Sequence, residues 1–232
     1  MKAFIMAAGR GERLGKLTEE TPKCLLPVGG VPMLEKWIRN FAKLGFSGVF
    51  VNTSYKMADI VAFLRYRGMG IPWNIVIDIS KEGNPIGTAQ TLWVNRSFVE
   101  NEKCFAVVYC DVWTDFDIRK IIESHVKPVT LGLQYVPNPV DKGIALTVGD
   151  SVIDFEEKPK SSVEGLPIWT GILVASPEIF NMMDGTEKDI GSDLLPKLAK
   201  KGMVGAYCIE DVLFDIGGSI EKYEEIKNYG SV

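Results

Sequence analysis

Short apolar runs alternate with amphipathic ones through the first half of this 232-residue chain, and that alternation restricts the fold more than any other feature. "KAFIMA", Lys2 to Ala7, reads as a buried strand, and "MLEKWIRNFAKL", Met33 to Leu44, carries apolar residues at 33, 34, 37, 38, 41 and 44, the period of a helix. Strand "GVFVNT" (Gly48 to Thr53), a helix over "MADIVAFLRYRG" stopped by Gly68, and strand "WNIVIDI" (Trp73 to Ile79) follow. "GTAQTLWVNRSF" reads as a further helix, and "CFAVVYC", Cys104 to Cys110, as a strand buried on both faces. Strands separated by helices in this way predict an α/β fold with a mostly parallel, Rossmann-like central sheet flanked by helices.

After about Lys127 the pattern changes. "VTLGLQYV", "IALTVGD", "SVIDFEEKP" and "IWTGILVA" are short strand-like runs split by Pro, Asn, Asp and Gly, which predicts antiparallel additions to the sheet. Helices near Pro177 to Asp184 and Gly191 to Lys201, strands "VGAYCI" and "VLFDIG", and a last helix from Ser219 to about Tyr229 complete the expectation. We read one domain over 1–232, in a first part over about 1–126 and a second over about 127–232. Ligands of such sheets sit beyond the carboxyl ends of the parallel strands. That rule places Ala8 to Lys23, Gly83 to Thr88 and Asp111 to Asp115 on one edge.

Composition removes several classes of function. A net charge of −4 lacks the basic footprint of a nucleic-acid binder, so no nucleic acid is expected as a partner. The apolar part of "MKAFIMAAG" is too short for a signal peptide, and no run approaches the roughly 18 apolar residues of a membrane span, so a cytoplasmic location with no membrane partner is expected. Cys24, Cys104, Cys110 and Cys208 form no C-x-x-C pair and read as free thiols. His125 is the single histidine, which removes most Ser-His-Asp and Cys-His schemes; it reads as a helix-end surface or packing residue. Any chemistry then falls to carboxylates, lysines, arginines and a metal.

The stretch "MAAGRGERLGKLTEETPKCLLPV", Met6 to Val28, is suited to an anion: glycines at 9, 11 and 15 leave backbone N–H groups accessible, and Arg10, Arg13, Lys16 and Lys23 add charge. A solvated connecting loop of mixed charge, with Glu12, Glu19 and Glu20, is the other reading. The dinucleotide fingerprint fails because Leu14 stands where its third glycine belongs, and the Walker pattern fails because Arg10 and Leu17 replace its first Gly and last Ser or Thr. Neither an NAD oxidoreductase nor a P-loop ATPase is supported.

The whole motif, through "GGVPMLE", resembles the N-terminal signature of the sugar-1-phosphate nucleotidylyltransferases, L-A-A-G-x-G-[ST]-R-L-x-P-L-T-x-x-x-P-K-x-L-x-P-V. In the same order, "EGNPIGTAQTL", "CDVWTD", "FEEKP" and "FDIGGSIEKY" are similar to that family's E-x-P-L-G-T-A, G-D-x-x-x-D, E-K-P and D-I-G-T-P-E-D-Y segments, so the resemblance covers essentially the whole chain. Departures are Glu12 for Thr or Ser, Lys16 for Pro, Cys110 for Gly, and Gly218–Ser219 for Thr-Pro. The sequence ends soon after Tyr223, and the short form without a C-terminal β-helix is expected.

The resemblance implies transfer of a nucleotidyl group from a nucleoside triphosphate to a sugar-1-phosphate, giving an NDP-sugar and pyrophosphate. It implies that Ala8, Gly9 and Gly11 approach the nucleotide through their backbones, joined by Asn52, Gly87 and Thr88. Arg13 would hold the pyrophosphate, Lys23 would neutralise the converging phosphates, and Asp111 and Asp215 would ligate Mg²⁺, a hard cation suited to carboxylates. Gly143, Glu157, Lys158, Thr170 and Gly171 would address the sugar phosphate. Read without the resemblance, Asp111 also suits the N-cap of a helix starting near Asp115, Asp215 a turn, and Glu157–Lys158 an exposed strand end. Trp37, Trp73 and Phe63 suit the core better than a stacking platform. CMP transfer to phosphocholine and a non-catalytic nucleotide-binding regulator are the alternatives, "CDVWTDFD" is also similar to short uridylyltransferases of cell-wall sugar recycling, and a homo-oligomer stays open. Asn52, Thr53 and the Gly83 to Thr88 loop are implied to neighbour the base, whose identity the sequence leaves undecided.

Overall fold

A computed structural model describes residues 1–66, 74–137, 139–160 and 164–230. Gly68 and Trp73, named above as a helix stop and a strand start, lie outside them. In chain order the strands are β1 (Lys2–Met6), β2 (Pro27–Val28), β3 (Val31–Pro32), β4 (Gly48–Thr53), β5 (Val76–Lys81), β6 (Phe105–Tyr109), β7 (Val112–Thr114), β8 (Val129–Gln134), β9 (Gly143–Val148), β10 (Ser151–Glu157), β11 (Ile168–Ala175), β12 (Val204–Cys208) and β13 (Leu213–Asp215). The α-helices are α1 (Lys16–Glu20), α2 (Met33–Lys43), α3 (Met57–Tyr66), α4 (Thr88–Val94), α5 (Arg119–Glu123), α6 (Leu195–Ala199) and α7 (Ile220–Ile226).

The chain forms two compact units, one of Met1–Pro85, Val108–Asp115 and Val212–Val232, the other of Ile86–Val107 and Phe116–Asp211. In the first, β1, β4 and β5 pair in parallel in the order β5-β4-β1, with Met6 opposite Asn52 and Asn52 opposite Ser80. These strands are apolar because helices cover them: α2 buries Met33, Leu34, Trp37, Ile38 and Phe41, and the Trp37 and Phe41 rings stack. Trp37 is thus core, as expected, whereas Phe63 is only half-buried. The order β1, α2, β4, α3, β5 is the Rossmann-like alternation that the periodicity predicts.

In the second unit the strand order is β11-β8-β12-β10-β9. The pairs β11–β8, β10–β12 and β10–β9 are antiparallel, and β12–β8 is parallel. Here α5 packs on β8 and β11 while α6 packs on β10 and β12. His125, just past α5, is half-buried, and its Nδ1 and Nε2 each lie 2.9 Å from a hydroxyl, those of Thr130 and Ser176.

Three expected elements are corrected. No helix starts near Asp115: Val112–Thr114 is strand β7, paired antiparallel to β13, so Asp111 caps no helix. The expected Gly87–Phe98 helix stops at Val94 and gives way to a 3-10 turn over Arg96–Phe98, because the Asn95 amide donates back to the Thr91 carbonyl at 2.9 Å and diverts the backbone. The last helix is also shorter than expected, ending at Ile226.

Candidate functional site

Turns, hydrogen bonds and burial fix the loop at the carboxyl edge of the first unit. After β1 the chain turns at Gly11, whose φ of 71° lies in the left-handed region, and a Cβ there would stand 2.8 Å from Thr18 Cγ2. The Thr18 hydroxyl donates to the Gly11 and Gly15 carbonyls, both at 3.0 Å, folding the loop onto α1. Leu14 is fully buried and anchors the 3-10 turn Glu12–Leu14, which presents Arg13 at the surface. Asn52 Oδ1 accepts from the Ala7 backbone N–H at 2.6 Å and so ties the end of β4 to the start of this loop. Ala8 is buried and Gly9 exposed, and nothing stands within 4 Å of where a Gly9 Cβ would be.

Beyond β6, Lys23 donates from Nζ to Asp111 Oδ2. The antiparallel pairing of β7 with β13 places Asp215 opposite Val112, and the Ile216 N–H donates to the Asp111 carbonyl at 3.0 Å. Asp215 Oδ1 accepts from the Gly217 N–H at 2.7 Å. A Cβ on Gly217 would overlap the Lys23 ammonium and lie 3.0 Å from Asp111 Oδ2, so glycine at 217 is what leaves room for the Lys23–Asp111 pair, two residues after Asp215 in the chain. Cys24 and Cys110, their chain neighbours, are buried free thiols, and burial followed by the contact with Cys24 pushes the Cys110 thiol well above its ordinary pKa.

A second cluster lies within the other unit. Gly143 and Glu157 are register partners on β9 and β10. A Cβ on Gly143 would lie 2.6 Å from Glu157 Oε2, and one on Gly191 2.5 Å from the same atom, so the carboxylate occupies a niche with glycine on two sides. Burial raises the Glu157 pKa, Lys158 opposes the shift, and the charge of Asp189 adds to it. Lys158 follows at φ 50°, its N–H donating to the Lys142 carbonyl at 3.2 Å and its Nζ 3.6 Å from Glu157 Oε1.

Thr88 is held by the same loop: its hydroxyl donates to Asp189 Oδ2 at 2.9 Å and accepts from the Ile190 N–H at 2.8 Å. Gly87, at φ 102°, leaves no room for a Cβ beside the Lys188 carbonyl. Thr170 is buried and spends its hydroxyl on the Gly132 carbonyl at 2.7 Å, inside the sheet, and Gly171 turns the β11 bulge at φ 79°. Among the expected site residues, the structure thus groups Lys23, Asp111 and Asp215, and separately Gly143, Glu157 and Lys158. Sequence reasoning missed Asp189 and Gly191; the N-cap pattern of Asp189 before Ser192, whose N–H and hydroxyl donate to Asp189 Oδ1, was the available signal.

Among the described residues no group of three or more His, Cys, Asp or Glu side chains is placed to hold a metal, and no helix is long and apolar enough to cross a membrane. Two carboxylates with a lysine beside them suit a cation that completes its shell with phosphate oxygens and water, the habit of Mg²⁺.

Residues 2–229 match the family model of nucleotidyl transferases. Among curated proteins, the chain is 28% identical over 218 residues to a UTP–glucose-1-phosphate uridylyltransferase of Synechocystis, covering 88% of this chain and 56% of that protein. It is 28% identical over 225 residues to a mannose-1-phosphate guanyltransferase of Aspergillus oryzae, covering 94% and 61%. The chain therefore spans about three fifths of the length of these relatives. A solved structure from Bacillus anthracis, provisionally assigned as a glucose-1-phosphate thymidylyltransferase, superposes with a TM-score of 0.86 at 25% identity, covering all of this chain and 95% of that one.

Proposed function

The chain belongs to the nucleotidyl transferase family, and from that premise we propose that it transfers a nucleotidyl group from a nucleoside triphosphate to a sugar-1-phosphate, releasing pyrophosphate. The observation that carries this reading is the convergence of Lys23, Asp111 and Asp215, drawn from three distant segments, beside the glycine loop. The named relatives act on sugar-1-phosphates, which supports the acceptor class.

The chemistry asks for few specialised groups. A sugar-1-phosphate is already an anionic nucleophile, so no general base is required. The barrier lies in driving one anion onto the α-phosphate of another and releasing a third. Positioning and charge neutralisation lower such barriers. In the proposed assignment, backbone N–H groups of Ala8, Gly9 and Gly11 line the phosphates, Arg13 holds the departing pyrophosphate, and Lys23 neutralises the reacting phosphate. Asp111 and Asp215 would hold Mg²⁺, which when bound supplies Lewis-acid stabilisation of phosphoryl charge. Glu157, kept in its niche, accepts sugar hydroxyls, and Lys158 contacts the acceptor phosphate.

Pyrophosphate release tests the reading. It is expected only when nucleoside triphosphate, sugar-1-phosphate and Mg²⁺ are present together, and to stop on chelation. Equal release without acceptor would identify a hydrolase, and turnover with phosphocholine alone would move the acceptor class.

A further inference from the structure

Asp189 has no role in the assignment above, yet it joins Thr88, which the resemblance gives to the nucleotide, to Glu157, which it gives to the sugar phosphate. All three lie within the second unit. Asp189 caps the helical turn Ile190–Leu194: its Oδ1 accepts from the Ser192 N–H at 3.0 Å and from the Ser192 hydroxyl at 3.1 Å. A cap needs no more than that oxygen. The other, Oδ2, accepts at 2.9 Å from the hydroxyl of Thr88, 101 positions away in the chain at the start of α4. Thr88 accepts in return from the Ile190 N–H at 2.8 Å, and the Lys188 carbonyl accepts from the N–H groups of Ala89 and Gln90 at 2.9 and 3.3 Å. These bonds fasten Lys188–Ile190 to the first turn of α4. On its other side the same segment meets the acceptor cluster: a Cβ on Gly191 would stand 2.5 Å from Glu157 Oε2 and 3.3 Å from Asp189 Oδ1, so the two carboxylates flank one small space.

Resting on the nucleotidyl-transfer reading, we infer that Asp189 is a positioning residue that couples the two substrate sites, fixing Thr88 on the nucleotide side and the Gly191 turn against Glu157 on the acceptor side. Asp189 touches neither substrate in this assignment, because its oxygens are engaged by Thr88 and Ser192. It acts through the segment it braces. Ordering backbone and side chains costs conformational entropy, and a ligand that orders Thr88 orders Lys188–Gly191 with it, so the acceptor meets a Glu157 niche already in place. By linkage the gain is the same whichever ligand binds first.

Equilibrium binding of a donor that cannot react measures this coupling. With Mg²⁺ present, the α,β-methylene analogues of UTP and GTP are titrated into the protein with and without saturating glucose-1-phosphate or mannose-1-phosphate; carbon in place of the bridging oxygen blocks pyrophosphate release. In the wild type the acceptor is expected to tighten the nucleotide about tenfold, within the usual range of coupling between sites. Asp189→Asn keeps the cap, since Asn serves there as well as Asp, but removes the charge and one acceptor oxygen; the ratio should fall to within about twofold of one, with each ligand alone still bound. Thr88→Val should lose the coupling in the same way, Thr88→Ser should keep it, and the double variant Asp189→Asn with Thr88→Val should be no worse than either single one. If Asp189→Asn does not fold, Thr88→Val against Thr88→Ser decides. A second readout is the pH dependence of acceptor binding. Glu157 is faced by Lys158 beside it, by Lys142 just before β9 and by Asp189; removing the Asp189 charge should move the loss of acceptor binding on acidification to lower pH, whereas the acceptor's own phosphate titrates alike in both proteins. A wild-type ratio near one, an undiminished ratio in Asp189→Asn or an unshifted profile would overturn the inference and leave Asp189 a helix cap. Coupling without pyrophosphate release from the natural triphosphates would sink the transfer reading and keep the coupling, release with a ratio near one would do the reverse, and no binding of either ligand would end both.

Discussion

Around Lys23 the first unit concentrates charge, whereas around Glu157 the second unit builds shape. Lys23, Asp111 and Asp215 come together through a two-stranded ladder, β7 with β13, and one glycine, Gly217, that leaves room for the Lys23–Asp111 pair. Glu157 instead sits in a niche with Gly143 and Gly191 on two sides, and its carboxyl is held toward the neutral form mainly by burial. On the proposed assignment the difference is a division of labour: phosphates need balanced charge in a fixed place, while a sugar's hydroxyls need an acceptor of defined position. If that division is right, damage to the two regions should read out in different kinetic constants.

The largest effect is expected at the carboxylates of the first region. Asp111→Asn or Asp215→Asn should each lower kcat by about a thousandfold, as loss of a preorganised electrostatic group does. The double variant should be little worse than either single one, because the residues act as a unit. Mild, additive losses with a folded protein would reduce both to turn residues and erase the contrast.

Two glycine variants sharpen it. Gly217→Ala drives a methyl group into the Lys23 ammonium, and about a hundredfold loss of kcat with near-normal thermal stability is expected, since Lys23 can move aside but not stay in place. Gly191→Ala puts a Cβ 2.5 Å from Glu157 Oε2 and should act on the acceptor, raising its KM about tenfold with nucleotide affinity unchanged. Steady-state kinetics with each substrate varied in turn would show whether the effects separate. Identical profiles would mean that the two regions are not specialised.

Lys158→Ala should weaken the acceptor's apparent binding by roughly ten- to a hundredfold, with nucleotide affinity measured without acceptor unaffected, while Arg13→Ala shows the opposite bias. An unchanged acceptor KM would return Lys158 to an exposed strand-end lysine.

The smallest effect concerns stability. Glu157 is raised relative to the unfolded chain, so its contribution is fully present below the unfolded value of about 4.3 and is lost as pH rises through the raised folded value. Glu157→Gln, always neutral, should therefore gain Tm over wild type as pH rises above about 4.3, by on the order of 2 °C. A pH-independent difference, read by calorimetry, would mean that the carboxyl is solvated and its niche unimportant.

The sequence by itself determined the alternation of strands and helices, because hydrophobic period and breaker residues act within a few positions: β1, α2, β4 and β6 lie where "KAFIMA", "MLEKWIRNFAKL", "GVFVNT" and "CFAVVYC" place them. It also made the glycine loop and the ordered charged motifs legible, since these are contiguous. Only the tertiary structure decided that "VWT" pairs with "LFD" as strands, where local preference allowed a helix after Asp111. It alone revealed that Thr88 leans on Asp189 and that Gly217 and Gly191 are spacers for side chains far away in the chain. The physical reason is common to all of these: burial and the meeting of distant side chains depend on strand register and chain crossing, which are long-range choices that no window of neighbouring residues encodes.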